Sequence, residues 1–478
     1  MESEPIRVLH VLGRLNMGGA ETRIMDLYRH MDREKVQFDF LVHYKRTQSD
    51  QKNGVGTDSE ALLRTRPQED YDAEALSLGA HIYVLPRFTG TNLPEYRRAC
   101  HAFFAAHHEW AVIEGHMTSM ASVYLPIAKE EAEKAAAQAN AAKGPSDSAE
   151  AAAGGGGEGT RVVIPVTIAH ARSAGTDPGI RGLATRIFRR SLPEKCDIMM
   201  SCSGPASVSV FGKRAAESGR VMVVPNALDL DVFRYDSGKR EQVRAEYGIS
   251  EDTLVIGHVG RFDPVKNQAF LARVCAEMKK RSRQKVLFFF AGKGDLQESV
   301  REAFEKEDAG KNVIFAGQLA REKTAAAYQA FDVFVLPSLY EGLPGTVIEA
   351  QSAGLPCVIA DTITEEVAVT DLVRRLALDD PAAWAQAILE AGEGGGNTAD
   401  ALSGEESGGT QDAAARAGGG TDEENPSGGG KPGAKPQRPK RDAASDEALP
   451  ALAAAGYEIR SAARRMQKLY QELAGKSR

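Results

Sequence analysis

Short apolar runs alternate with amphipathic stretches along this chain. Ile6 to Leu12 ("IRVLHVL") is a β-rich run, the glycine-containing "GRLNMGGAE" follows it, and "TRIMDLYRHM" then has helical spacing. Phe38 to His43, His81 to Pro86 and Trp110 to His116 are further strand-like runs, with helical patterns such as "LPEYRRACHAFFAAHH" between them. "RVVIPVTIAHARS", "DIMMSCS" and "VMVVPNALD" close this series, and a second begins at Leu254 with "LVIGHVGRF". The helix "NQAFLARVCAEMKKR" and the runs "KVLFFFAGKGD", "NVIFAGQL", "FDVFVLPS" and "PCVIAD" continue it. Strands that are apolar throughout and alternate with helices predict parallel sheets covered on both faces.

Length and composition divide this pattern. A single core stops growing at roughly 250–300 residues, so 478 residues imply two domains. The expected division is 1–230 and 231–390, with a boundary at Asp229–Asp236. Residues 131–160 turn alanine-rich and then glycine-rich, as a low-complexity insertion whose first part can extend a helix. Residues 391–448 are dominated by Gly, Ala, Ser, Pro and charge, a composition that predicts disorder. Helical periodicity returns over 449–478, with Met466, Leu469, Tyr470 and Leu473 on one face.

Composition excludes several classes. The mean hydropathy is −0.33, and no apolar run reaches the roughly 18 residues of a membrane span. "MESEPIRVLHVLG" has no long apolar segment of a secretion signal. Five scattered cysteines without a CxxC predict neither a disulfide framework nor a zinc site. These features together predict a cytoplasmic protein, and a net charge of −7 speaks against nucleic acid as a partner.

Candidate chemistry gathers at strand ends. In "SLYEGLPGTVIEAQSAGLP", Glu341 lies in a turn shaped by Gly342, Pro344 and Gly345, a helix starts near Thr346, and Glu349 lies about one turn inside it. The free amides and dipole of such a helix tip suit a diphosphate. Two carboxylates there make sense as ligands of sugar hydroxyls, although a turn residue and a solvated helix charge explain them equally well. Arg261 and Lys266 in "GHVGRFDPVKN" can clamp a diphosphate; by themselves they read as ordinary surface charges. Gly18 and Gly19 in the first strand-to-helix turn permit positive φ and close ligand approach, and capping accounts for Glu21. His170 and His116 end buried strands on the edge where α/β sheets bind ligands. "RGLATRIFRRSLPEK" sets Arg181, Arg186, Arg189 and Arg190 beside Leu183, Ile187 and Phe188. That pattern suits an anionic membrane surface, and a solvated helix face as well.

These segments, with "PNALD", "EAQSAGLPCVIAD" and "AAGYEIRSAA", resemble family 4 of the retaining glycosyltransferases, and within it bacterial capsular and exopolysaccharide enzymes. The resemblance implies the GT-B fold: two Rossmann-like domains facing across a cleft, with a C-terminal helix crossing back to the first. It implies a nucleoside-diphosphate sugar as donor, with UDP as the expected nucleotide. The acceptor is then a hydroxyl of a saccharide or lipid-linked saccharide, met at the inner face of the cell membrane. Carried over, Glu341 contacts the donor sugar, Glu349 the ribose hydroxyls, and His170 lies near the reacting sugar. Arg261 and Lys266 neutralise the leaving diphosphate. Gly18, Gly19, Gly292, Leu319, Gly345, Thr346 and Val347 complete the donor site. Arg261, Lys266 and the helix dipole would take the place of a metal at the diphosphate, so neither a metal nor another cofactor is expected. "GTV" after Pro344 departs from the aliphatic residues usual there. A nucleotide-sugar epimerase or hydrolase of the same fold, and a non-catalytic sugar-nucleotide binder, are the alternatives. A Rossmann dehydrogenase is disfavoured by the missing GxGxxG.

Overall fold

The computed structural model of the chain describes residues 4–52, 56–142, 162–172, 180–393 and 441–477. Two all-parallel sheets carry the fold. The first contains β1 (Ile6–Val11), β2 (Val36–Tyr44), β3 (Ile82–Pro86), β4 (Val112–Gly115), β5 (Val166–Ala171), β6 (Ile198–Ser201) and β7 (Val221–Val223), in the order β3-β2-β1-β4-β5-β6-β7. The second contains β8 (Leu254–Val259), β9 (Val286–Ala291), β10 (Val313–Gly317), β11 (Val333–Leu336), β12 (Cys357–Ala360) and β13 (Val373–Leu376), in the order β10-β9-β8-β11-β12-β13. Chain order reverses between β1 and β4 and between β8 and β11, which opens a crevice beyond the strand ends of each sheet.

The apolar runs became buried strands for the reason expected. Val333 to Leu336 and Phe288 to Phe290 have no exposure. Each such side chain contributes about 1.5–3 kcal/mol of burial. Helix Gly19–Arg29 lays Ile24, Met25, Leu27 and Tyr28 on the first sheet. The C-terminal helix Ile459–Ala474 packs on β1, β2, β4 and that first helix through Ile459, Ala462, Met466, Tyr470 and Leu473. Its N-terminus is capped by Glu458, which accepts from the amides of Arg460 at 2.6 Å and Ser461 at 2.7 Å. The segments "PNALD" and "AAGYEIRSAA" meet at this point. Leu228 donates to the carbonyl of Tyr457 at 2.9 Å and accepts from Ile459 at 3.1 Å.

Two expectations change and one holds. The tract 391–448 was expected to be disordered, but its ends are helical: Pro381–Glu393 runs into it, and Arg441–Ala454 contains its last residues. Alanines there are strong helix formers, Ala448 is buried, and Arg441 donates to the carbonyls of Ala353, Tyr328, Gln329 and Phe331. Residues 394–440 lie outside the described residues. The helix Ala121–Ala142 does extend into the alanine-rich insertion, and 143–161 lie outside the description. Strand β13 was not anticipated. Arg374 and Arg375 interrupt its apolar pattern, and they pair outward with Glu390 at 2.7 Å and Glu365 at 2.5 Å.

Candidate active site

The loops after β8 and β11 are joined at the switch point of the second sheet. The Leu339 amide donates to the Val265 carbonyl at 2.8 Å, and Asn267, with φ of 51°, donates its side-chain amide to the Pro337 carbonyl at 3.2 Å. Asn267 was expected inside the following helix; its left-handed turn delays that helix to Phe270–Arg281. This bracing brings Lys266 onto Glu341 at 2.5 Å, both largely buried. From the first sheet, Ser203 donates to the Gly342 carbonyl at 3.1 Å, and the Gly204 amide donates to Glu366 at 2.9 Å.

Helix Gly345–Ser352 starts where expected, four residues after Glu341. Among the described residues, the amides of Gly345 and Thr346 have no protein acceptor, and the Thr346 hydroxyl is buried without a partner. Val347 differs from its expected role: its amide is committed to the Pro344 carbonyl at 3.1 Å, and its side chain is in the core. Glu349 is buried, accepts from the Tyr328 hydroxyl at 2.8 Å, and pairs with Arg23 of the first helix. Arg261 stands mostly in solvent, 3.4 Å from Asp263.

The remaining donor-site candidates shape the walls. Gly292 has φ of +145°, and any Cβ there would collide with the Gly260 carbonyl, so glycine lets the β9 turn lie against the Arg261 loop. Leu319 is half-buried against the core after β10. Gly18 and Gly19 do not adopt the positive φ expected of them. Gly18 is the extended N-cap of the first helix, a Cβ there would strike the Glu21 carboxylate, and Gly19 faces open space. Burial raises the Glu21 carboxyl, while Arg261 of one domain and Arg172 of the other oppose that rise.

His170 sits deeper than expected, inside a buried polar network at the ends of β1, β4 and β5. Its Nδ1 donates to Glu114 Oε1 at 2.7 Å, and Tyr470 donates to Oε2 at 2.6 Å. Arg172 donates to His116 Nδ1 at 3.3 Å and to Asn226 of "PNALD" at 2.6 Å. The His116 proton is then on Nε2, which donates to His10 Nδ1 at 3.0 Å. His10, Glu114 and His116 are close enough to hold a metal ion. The Arg172 bond takes the nitrogen of His116 that a metal-ligating imidazole would use to donate outward, so the triad reads as a hydrogen-bond chain. Burial, assisted by Arg172, lowers His170 to about 4. Burial also opposes the charge of Glu114, but His116 and His170 overcome it and hold the carboxyl well below its ordinary value.

Sequence reading missed Glu114, Arg172, Tyr470, Arg23 and Tyr328. One signal was available: Glu114 interrupts an apolar strand, and a carboxylate buried there demands partners.

Residues 239–403 match the family model "Glycosyl transferases group 1". The putative glycosyltransferase EpsF of Bacillus subtilis (strain 168) is 33% identical over 400 residues, 83% of this chain and 90% of that protein. An Escherichia coli UDP-Gal:alpha-D-GlcNAc-diphosphoundecaprenol alpha-1,3-galactosyltransferase is 30% identical over 144 residues, 30% of this chain and 37% of that one. Among solved structures, Anabaena HepE in complex with UDP superposes with a TM-score of 0.62 at 12% identity, covering 98% of this chain and 100% of that one. Sucrose-phosphate synthase from Thermosynechococcus elongatus gives 0.63 at 16%, covering 99% and 100%. The chain belongs to the group 1 glycosyltransferases, of family 4 type and GT-B fold.

Proposed function

We propose that this glycosyltransferase moves a hexosyl unit from a UDP-sugar to a hydroxyl of a saccharide or lipid-linked saccharide, with retention, in exopolysaccharide or capsule assembly. One observation carries the reading: Lys266 pairs with Glu341 in the loop that leads into the helix bearing Glu349, and the amides of Gly345 and Thr346 head that helix. A diphosphate there takes the two amides and Lys266, and Arg261 swings in from solvent. Glu341 is released to the donor sugar and Glu349 to the ribose. These cations and amides take up the charge growing on the leaving diphosphate, in place of a metal ion. A single well-aimed donor of this kind is worth about 3 kcal/mol. No carboxylate is assigned as nucleophile, so a donor phosphate oxygen assists the acceptor's deprotonation on the front face. His170 supports the sugar from the first domain.

Helix Ile180–Arg190 leaves Leu183 58% and Ile187 63% exposed, with Arg186 and Arg190 on the same element. This face suits an anionic lipid surface, which favours peripheral contact at the cytoplasmic side of the membrane. No described helix is long and apolar enough to cross one.

Thermal-shift screening with UDP-, GDP- and ADP-sugars tests the site. UDP-sugars are expected to stabilise the protein, and Glu349→Ala to remove the shift. Equal shifts in wild type and variant would take Glu349 out of the site. Product NMR with an acceptor is expected to show the donor's anomeric configuration retained.

A further inference from the structure

One ion pair that crosses between the two domains engages the carboxylate assigned to the ribose. Arg23 and Glu349 pair with only 10% of each side chain exposed. Tyr328 holds the other oxygen of Glu349 at 2.8 Å. Asp26, fully buried one turn along the first helix, accepts from Arg23 at 3.3 Å, binds Arg29 at 2.6 Å, and pairs with Arg321 of the second domain. Arg23 also lies against the helix tip, because a Cβ on Gly345 would stand 2.7 Å from its Nη2. One guanidinium therefore touches both the ribose carboxylate and the place where a diphosphate would lie. The buried, unpartnered hydroxyl of Thr346 belongs to the same tip.

The geometry sets up a competition. A ribose binding Glu349 through both hydroxyls competes with Arg23 for the oxygen that the guanidinium now holds. A displaced guanidinium in so closed a cleft cannot remain uncompensated. Asp26 accepts from Arg23 only at 3.3 Å and already answers to two other arginines, so the donor's diphosphate is the anion that can take up the freed side of the guanidinium.

We infer that Arg23 is a donor-operated switch: it holds Glu349 until a nucleoside claims that carboxylate, then turns onto the diphosphate at the tip of Gly345–Ser352. The inference rests on the proposed reading of Glu349 as the ribose ligand. It makes the first domain's helix a carrier of positive charge to the donor. It also lets the site discriminate against nucleosides that lack phosphate. Uridine must break the Arg23–Glu349 pair without return, whereas UDP supplies the guanidinium with a new partner.

Calorimetric titration of uridine and of UDP into wild type, Arg23→Met and Arg23→Lys tests this. Arg23→Met is expected to bind uridine about tenfold more tightly and UDP about tenfold more weakly, a roughly hundredfold loss of preference for the diphosphate. Arg23→Lys, which keeps the charge without the fork, is expected to fall between. Arg23→Met affinities that both stay unchanged, or both fall together, overturn the switch. If wild type itself binds neither UDP nor uridine, the reading of Glu349 fails and the switch with it. A thermal midpoint for each variant verifies that it is folded.

Discussion

At the carboxyl edge of the first sheet, Glu114, Arg172 and three histidines form a buried network whose carboxylate is held by Tyr470 of the helix Ile459–Ala474. At the same edge of the second, Lys266, Glu341 and Arg261 ride on loops. The architectures are nearly the same, but the charges do different work. In the first half the charged groups are held by strands and by a packed helix, with only His10 Nε2 and His170 Nε2 of this network buried without a partner among the described residues, so a ligand finds a largely fixed wall. In the second, each charge has a partner that a ligand can replace. A cleft enzyme needs both: a rigid frame that orients groups, and charges free to follow a leaving diphosphate.

Exchanging the site of damage between the halves tests this contrast most strongly. Glu114→Ala strands Arg172 in a buried site, and breaking a buried pair in this way costs about 3–5 kcal/mol of stability. Lys266→Met removes the loop cation proposed to stabilise the leaving group, and is expected to lower kcat about 10²–10³-fold with little change in folding. Urea midpoints and initial rates on both variants give the comparison. A Lys266→Met protein as unstable as Glu114→Ala would erase the distinction.

Much of this was legible before any coordinates, for reasons particular residues make plain. Val333 to Leu336 and Val286 to Ala291 are apolar throughout, and only a doubly covered parallel strand uses such runs. The Glu341 loop could be read because the segment resembles a family motif; by themselves its carboxylates suited a turn and a solvated helix face equally well. The partnership of Tyr470 with Glu114 could not, because 356 residues separate them. The pairing of Arg23 with Glu349 was equally hidden, since local pattern does not encode which helix of one domain faces which helix of the other. Strand β13 was lost because edge strands tolerate the arginines that sequence reading treats as surface.

Tyr470→Phe asks whether the C-terminal helix only covers the first sheet or also holds its polar network. The substitution leaves the ring and removes the donor at 2.6 Å from Glu114 Oε2. A hydrogen bond to a charged group is worth about 1.5–3 kcal/mol. The expected loss of stability is about 2 kcal/mol, about half that of Glu114→Ala. A double-mutant cycle with His170→Gln should be non-additive, because both residues answer to one carboxylate. Additive losses would make Tyr470 a packing residue alone.

Acid should separate the two halves by a smaller but cleaner margin. Burial lowers His10, His43 and His170 to about 4 in the first half, and His258 to about 3 in the second. Each folded imidazole stays neutral while its unfolded counterpart takes up a proton below the ordinary value of 6.5. Stability is therefore complete above 6.5 and falls as pH drops from there toward 4. Each imidazole contributes about 1.4 kcal/mol per pH unit to that fall. The first half, with more of these groups among the described residues, should loosen first. The chain's two tryptophans report separately, since Trp110 is buried in the first half and Trp384 in the second. Fluorescence-detected urea unfolding at pH 7 and about pH 5.5, on single Trp→Phe variants, is expected to move the Trp110 transition further than the Trp384 transition. His170→Gln should shrink the Trp110 shift by one imidazole's share. Equal movement of both transitions would mean that the halves unfold as one unit, and that the buried histidines set no difference in acid stability between them.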